Sequence, residues 1–163
     1  MSITLPDVQT VFTCRCCGEC CHGGGGIILR ERDMIRLAGH FHLPAAGFCA
    51  RYAEKARDKY RLRSGDDGAC VFWSADRGCV VHEVKPDVCR AWPFFRGNLA
   101  DKTSYAMACQ ACPGIATLAS FDVFVRMGAA WLLAEDVFRA ESEGNAPCAL
   151  MTEQELKVMA AGE

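Results

Sequence analysis

The sequence contains no basic stripe and no basic arm. Its 18 Lys and Arg residues are scattered along the chain and nearly balance 20 Asp and Glu residues, which gives a formal net charge of −2. Proteins that hold nucleic acid through phosphate contacts usually carry clustered positive charge. The charge pattern therefore argues against nucleic acid as the main partner.

The chain also lacks a long uninterrupted apolar segment. Residues 1–10 do not show a basic stretch followed by an apolar run, so no signal peptide is predicted. The most apolar later segment covers residues 115–138, and it is interrupted by Asp122, Arg126, Glu135 and Asp136. Such a segment is too charged to span a bilayer. These absences predict a cytoplasmic protein without a membrane partner.

Cysteine is the residue in excess. The chain has 12 cysteines, and five of them fall within residues 14–21, Cys-Arg-Cys-Cys-Gly-Glu-Cys-Cys. Thiolates packed so densely repel one another unless a cation or an iron–sulfur cluster neutralises them. Cysteines in a reducing cytosol stay reduced, which favours metal ligation over a disulfide framework. The vicinal pairs in this run weaken the disulfide alternative further, because bridged residues need specific Cα separations and directions.

The remaining composition predicts one compact domain. The chain has 163 residues, 51% of them apolar and 23% charged, which is enough for a single hydrophobic core. Apolar residues at helical spacing predict a mainly α fold with short extended segments, in which cysteine-rich loops pack on helices around a metal. Within this single domain, residues 1–163, we expect a cysteine-cluster core at 12–114 and a C-terminal helical segment at 115–163.

Individual elements are predicted from apolar periodicity and from the prolines. Helices are expected within Ile27–His40 after a short apolar stretch, from Pro44 to about Ala56, over Asp87–Trp92, over Phe121–Ala140 and over Thr152–Ala160. Short extended segments are expected at Lys59–Arg63, Cys70–Trp73 and Cys79–His82. Thr152 followed three residues later by Glu155 is typical of a capping box at a helix start.

Two groups of cysteines have the spacing of metal ligands. The first group contains two successive C-x2-C steps and an adjacent fourth cysteine, and the second contains one further C-x2-C step. This spacing is the usual one between two ligands of a tetrahedral zinc, and it recurs in loops that hold iron–sulfur cubanes. The nine candidate ligands are Cys14, Cys17, Cys20, Cys21, Cys70, Cys79, Cys89, Cys109 and Cys112. Two four-coordinate centres would use eight of them.

Charge balance bears on which metal these thiolates hold. Eight thiolates carry eight negative charges, whereas two zinc ions supply only four positive ones, so backbone amides and nearby cations must offset the remainder. The cations expected to do so, from their places in the sequence, are Arg15, Arg77, Arg90 and Arg96. An iron–sulfur cluster disperses charge over several irons and sulfides, which makes it the preferred cofactor, with zinc as the alternative.

Three further cysteines are not expected to bind metal, whereas two histidines are alternative ligands. Cys49 is expected to be a buried inert thiol, Cys148 is expected to be a bystander, and Cys16 breaks the C-x2-C rhythm. His22 and His82 follow cysteines closely and are alternatives as ligands or as donors to the thiolates.

Separated motifs of this chain resemble those of a known family. In order they are Phe12-x-Cys14-x2-Cys17-Gly18-x-Cys20-Cys21, Cys70-Val71-Phe72, Cys79-Val80-Val81-His82-x3-Pro86-x2-Cys89-Arg90-x-Trp92-Pro93-Phe94 and Cys112-Pro113-Gly114. They resemble the CxxCxxCC cysteine-cluster family, often called YkgJ-like and described as a zinc- or iron-chelating domain. The resemblance runs from Phe12 to about Gly114.

The resemblance implies cytoplasmic metal binding. Its core ligands would be Cys14, Cys17, Cys20, Cys21, Cys70, Cys79 and Cys89, with Cys109 or Cys112 added. A flagellin lysine N-methylase carries a related cysteine motif and is associated with an iron–sulfur cluster, which favours iron. This chain is much shorter than that enzyme, so methyl transfer is a distant alternative. His82 stands where the family often has Tyr and need not be a ligand.

Three functions are compatible with this pattern. The first is an iron–sulfur protein in redox or cofactor-assisted chemistry. The second is a zinc-binding structural or interaction module, and the third is an enzyme, methyltransferase-like or other, whose metal has an open coordination position. Full cysteine ligation favours the first two. The expected partners are metal ions, together with a redox or protein partner that the sequence does not identify.

Overall fold

The computed structural model describes residues 7–23, 26–143 and 147–162. The chain divides into two compact units: unit 1 comprises residues 1–15, 91–143 and 148–163, and unit 2 comprises residues 16–90 and 144–147. Helices predominate and the strands are short, which confirms the mainly α prediction. No helix of the described residues is long and apolar enough to cross a membrane.

Unit 2 contains a small antiparallel sheet and two helices. Strand β1 (Ile28–Leu29) pairs with β3 (Lys59–Leu62), which also pairs with β2 (Ala53–Ala56). Helices α1 (Glu31–His40) and α2 (Ala45–Tyr52) lie between β1 and β2 in the chain. The prediction of a helix to about Ala56 is wrong, because residues 53–56 pair along their whole length with β3.

The second half of unit 2 carries three of the predicted ligands, Cys70, Cys79 and Cys89. It contains the two-stranded ribbon of β4 (Trp73–Ser74) and β5 (Gly78–Cys79), and helix α3 (Asp87–Ala91), whose last residue belongs to unit 1. The core of the unit includes the stacked rings of Phe41 and Phe72, whose centroids are 5.4 Å apart. Cys70 is part of this core, and Cys21 and Cys79 pack against it. The apolar core thus supports three of the predicted ligands.

Unit 1 is a set of helices around a second core. Its elements are α4 (Arg96–Ala100), α5 (Lys102–Ala111), α6 (Phe121–Ala134) and α7 (Glu153–Ala161). Helix α6 ends six residues before the predicted Ala140, because Asp136 adopts a left-handed φ of 56°. Val137 is nevertheless fully buried, so the apolar pattern continues in the core after the helix has ended.

Helix α7 begins as predicted from its capping box. The Thr152 hydroxyl accepts the backbone N–H of Glu155 at 3.3 Å, and the Glu155 carboxylate accepts the backbone N–H of Thr152 at 2.7 Å. The Arg96 guanidinium donates to both carboxylate oxygens, at 2.5 and 2.9 Å, and it lowers the pKa of Glu155 to about 2. This contact ties α7 to α4, and both lie in unit 1.

Gly128, in the middle of α6, is required by its neighbour. A Cβ added there would overlap the buried ring of Phe94. In an open helix Gly→Ala stabilises by about 1 kcal/mol. Here we expect Gly128→Ala to destabilise by about 1–3 kcal/mol, because the ring must leave its packed position. Urea unfolding of the metal-loaded protein measures the difference.

Gly97→Ala is the matched control for this prediction. Gly97 is exposed in α4, and its added Cβ would meet only the Ser104 hydroxyl oxygen at 4.0 Å. We expect its unfolding midpoint to stay the same or rise. A Gly128→Ala protein as stable as the unmodified chain would contradict the proposed tight contact with Phe94.

Candidate metal centre

Five predicted ligands lie near one another in unit 2. Their thiol groups are close enough for each to change the ionisation of others in the set, which consists of Cys20, Cys21, Cys70, Cys79 and Cys89. They come from three separate parts of the chain: the first cysteine loop, the segment around β4 and β5, and helix α3. Members of both cysteine groups therefore lie near one another in unit 2.

The first cysteine loop is shaped by Gly18. This residue has φ of 84° and is buried, and an added Cβ would overlap the Trp73 indole. The turn of 3-10 helix Glu19–Cys21 follows directly and presents Cys20 and Cys21. The Cys70 backbone N–H donates to the Cys21 carbonyl at 2.7 Å, so the loop is held against the second cysteine segment.

Local backbone contacts also place the later cysteines. Cys79 on β5 lies opposite Trp73 on β4, and the Val80 N–H donates to the Phe72 carbonyl at 2.9 Å. The Phe72 N–H donates to the sulfur of Cys70. The Phe72 amide therefore directs the positive end of its dipole toward the Cys70 sulfur, which is how such sites stabilise thiolates.

The thiols differ in how readily they lose a proton. A hydrogen bond from Cys21 outweighs burial and, with the charge of Lys85, lowers the pKa of Cys20 to about 6. The same hydrogen bond, together with burial, raises the pKa of Cys21. Burial and the neighbouring thiolates raise the pKa of Cys70 and Cys89. A bound cation would lower the pKa of these two thiols instead, because metal binding to thiols releases their protons.

The contact between Cys20 and Cys21 bears on whether two adjacent cysteines can bind at one metal centre. Side chains of neighbouring residues usually point apart, which predicts that the two serve different metal atoms. In the structure the two thiols of this turn lie close enough for each to shift the pKa of the other. Both sulfurs therefore face the same region of unit 2.

Lys85 is the cation that the sequence reasoning missed. Its charge favours the thiolate forms of Cys20 and Cys89, and its Nζ lies 3.3 Å from His82 Nε2. Three of the predicted cations have carboxylate partners instead: Arg77 pairs with Asp76, Arg90 with Asp87, and Arg96 with Glu155. Lys85 lies four residues before Cys89 in the sequence, closer to that cysteine than Arg96.

A buried ion network holds the helix that carries Cys89. Asp87, at the start of α3, is fully buried and accepts from Arg30 at 2.7 Å and from Arg32 at 2.5 Å. Asp33 on α1 is also fully buried and accepts the backbone N–H of Asp87 at 3.0 Å. Arg36 bridges the two carboxylates, at 2.8 Å from Asp33 and 3.2 Å from Asp87. The network therefore anchors α3 to α1.

The other predicted ligands lie elsewhere. Cys17 is exposed in the first cysteine loop of unit 2, whereas Cys14, Cys109 and Cys112 belong to unit 1. Within unit 1 the chain next to Cys14 pairs with the chain after Cys112: Phe12 bridges to Ile115, and the Thr13 N–H donates to the Gly114 carbonyl at 2.9 Å. Cys109, in the last turn of α5, hydrogen-bonds Tyr105, and burial with this contact raises the pKa of Tyr105 to about 12.

The residues set aside as ligands have distinct environments. Cys49 is half-buried rather than buried as expected, and its S–H donates to the Met34 thioether at 3.3 Å. Cys148 is exposed. The Cys16 sulfur and a ring nitrogen of His82 lie within 4.8 Å of each other. These two residues are therefore additional candidate metal ligands in unit 2.

The close packing of Gly18 leads to a prediction. A left-handed φ costs an L-residue about 1–2 kcal/mol, and overlap with a packed side chain adds about 1–3 kcal/mol. We therefore expect Gly18→Ala to lower the free energy of unfolding by the sum of these two costs. We also expect the purified variant to contain less metal. Gly68→Ala is the control, because Gly68 has φ of 78° but nothing within 4 Å of its added Cβ. Equal urea midpoints for the two variants would contradict the overlap with Trp73.

The donor set fits a metal that prefers sulfur. Thiolates are the ligands of zinc and of iron–sulfur clusters, and here the Phe72 amide and the Lys85 ammonium stabilise thiolate forms. The buried Trp73 Nε1 has no hydrogen-bond partner among the residues that the structure describes. An N–H donor of this kind fits an anionic sulfur centre.

Comparison with known proteins agrees with this chemistry. The family model CxxCxxCC, described as "Putative zinc- or iron-chelating domain", matches residues 13–113. No curated protein and no solved structure matches the chain. The matched range is more than half of the 163 residues and includes every candidate ligand discussed above. The chain therefore belongs to the CxxCxxCC family of zinc- or iron-chelating domains.

Proposed function

We propose that unit 2 holds an iron–sulfur cluster and that the protein serves in redox or cofactor-assisted chemistry. The observation that carries the proposal is that Cys20, Cys21, Cys70, Cys79 and Cys89, from three chain segments, lie near enough for their charges to shift one another's pKa. Five thiols are enough for one tetrahedral zinc or for one four-cysteine iron–sulfur cluster, so the charge of the set decides between them. A cluster spreads the negative charge of such a set over several irons and sulfides.

A structural zinc site is the second candidate. Cys70 lies in the core of unit 2, and Cys21 and Cys79 pack against it. A metal held by these thiols would close the core, and closed all-thiolate sites are typical of structural zinc. In that case metal binding would contribute directly to folding, and partners would bind elsewhere on the surface.

Purification without oxygen separates the two candidates. We expect a brown protein with broad visible absorption, containing iron and acid-labile sulfide in comparable amounts. A colourless protein that contains zinc and no sulfide would support the structural zinc module and overturn the cluster. A protein that retains neither metal, and takes up neither on reconstitution, would overturn both.

The ligand set of nine remains a proposal that single variants test. Alanine variants of Cys14, Cys17, Cys109 and Cys112 measure whether cysteines outside the interacting five contribute. Loss of metal from a variant that is still folded by circular dichroism supports its assignment as a ligand. A full metal content removes that residue from the set.

A further inference from the structure

Trp73 has a polar group that the chain itself does not satisfy. Its indole Nε1 is buried, and no hydrogen-bond acceptor lies within reach among the described residues. An unsatisfied buried donor costs about 1–3 kcal/mol, so such groups usually have a functional explanation. The tryptophan was not singled out by any sequence pattern.

The position of the indole connects it to two candidate ligand segments. On the backbone, Trp73 lies opposite Cys79 across the β4–β5 ribbon. Its side chain reaches Gly18 in the first cysteine loop, where the atoms nearest to an added Cβ are Nε1, Cε2 and Cζ2 of the ring. The edge of the indole that carries the N–H therefore lies beside the segment between Cys17 and Cys20.

A second contact fixes the orientation of the ring. The imidazole of His22 meets the indole at 4.5 Å between centroids with an interplanar angle of 69°. The His22 Nδ1 is itself 2.7 Å from the Gly18 carbonyl oxygen. Trp73 is thus held between His22 and Gly18, and its N–H is directed by packing rather than by a partner of its own.

We infer that Trp73 Nε1–H donates a hydrogen bond to an anionic sulfur of the metal-loaded centre and so positions that sulfur. This inference rests on the proposed function, because the acceptor gains its negative charge when metal binds. The acceptor is a cysteine thiolate or an inorganic sulfide, which share the same chemistry. A hydrogen bond to such a sulfur stabilises the more negative, reduced form of an iron–sulfur cluster.

The first test uses the unmodified full chain loaded with cadmium-113. Cadmium replaces zinc or iron in thiolate sites and brings no sulfide. We expect the indole proton of Trp73 to show spin coupling to cadmium through the N–H···S–Cd path. The other two tryptophans, Trp92 and Trp131, are internal controls without such coupling, and a Trp73→Phe spectrum assigns the signal.

The second test uses the iron–sulfur form and compares Trp73→Phe with Trp131→Phe. We expect Trp73→Phe to change the oxidised-to-reduced ratio at fixed ambient potential by threefold to tenfold in favour of the oxidised form, tenfold being 59 mV for one electron. Trp131, in α6 of unit 1, should leave the ratio unchanged. A merely structural role for Trp73 would alter stability but not this ratio in the folded protein.

The outcomes of the two tests distinguish the possible acceptors. Cadmium coupling identifies a thiolate, and a potential shift without coupling identifies an inorganic sulfide. A loaded protein that shows neither overturns the assignment of Trp73 and leaves the metal centre standing. A chain that takes up neither cadmium nor iron overturns the proposed function as well. If Trp73→Phe does not fold, Trp73→Tyr replaces it in the potential measurement, and selective labelling assigns the indole signal in the cadmium spectrum of the unmodified chain.

Discussion

Cys89→Ala is expected to remove most of the metal from the purified protein and to lower its soluble yield. Cys89 interacts with Cys20, Cys70 and Cys79, so its thiol lies within the interacting set rather than at its margin. Loss of a partner that only hydrogen-bonds to a ligand already costs 10–100-fold in metal affinity. Loss of a ligand should cost more, and we expect metal release to a chelator to be at least about 100-fold faster.

Packing alone cannot produce an effect of this size. Cys→Ala removes one sulfur atom, and the transfer and cavity terms for a group of that size come to about 1 kcal/mol. Metal binding in sites of this kind is coupled to folding, so the apparent unfolding temperature should fall together with metal content. Elemental analysis and thermal unfolding under anaerobic conditions measure the two effects.

Cys148→Ala is the matched control for Cys89→Ala. Cys148 is exposed and lies outside the interacting thiols of unit 2. We expect this variant to keep the metal content and the unfolding temperature of the unmodified chain. A Cys89→Ala protein with full metal content and normal stability would show that the ligand assignment is wrong.

The elements that could be predicted are those with a local chemical signal. The capping residues Thr152 and Glu155 predicted the start of α7, and Pro86 predicted the start of the short helix α3. Helices α4 and α5 were missed, because their segment contains Gly97, Asn98, Thr103 and Ser104, which have low helix propensity. The start of α5 did carry a signal, since Asp101 accepts the backbone N–H of Ser104 as an N-cap.

The candidate site was predictable in its ligand types and not in its surroundings. Cysteine spacing identifies thiolates that hold metal, because the bite of a C-x2-C step is a property of the local chain. It does not show which cation, ring or carboxylate will lie beside them. Lys85 and Trp73 reach the thiols and their loop through the conformation of a turn and a strand pair. Such contacts depend on tertiary structure, which apolar and cysteine patterns do not encode locally.

The charged residues of α1 illustrate the same limit. Arg30, Arg32, Asp33 and Arg36 form the polar side of an amphipathic pattern, which usually indicates a solvated face. In the structure Asp33 is fully buried, and burial together with Asp87 raises its pKa. The arginines outweigh the burial of Asp87, and their hydrogen bonds and charges lower its pKa. The charged face of α1 is therefore an internal contact of unit 2.

This network leads to the second large expected effect, the loss of stability in Asp87→Asn. Asparagine keeps the size of the side chain and removes the negative charge that four arginines share: Arg30, Arg32, Arg36 and Arg90. Breaking a buried ion pair by neutralising one partner typically costs about 3–5 kcal/mol, because the remaining charges stay desolvated. We expect a loss of that order, measured as a lower urea midpoint of the metal-loaded protein.

The position of Asp87 makes metal retention a second readout. Asp87 begins α3 and Cys89 lies two residues further on, so a helix released from α1 no longer holds this thiol in place. Faster metal release to a chelator should therefore accompany the loss of stability in Asp87→Asn. Asp76→Asn is the control, since Asp76 lies 3.8 Å from Arg77 with both side chains largely exposed, and surface pairs contribute little. If the two variants had the same midpoint and released metal at the same rate, the ion network could not be what positions Cys89.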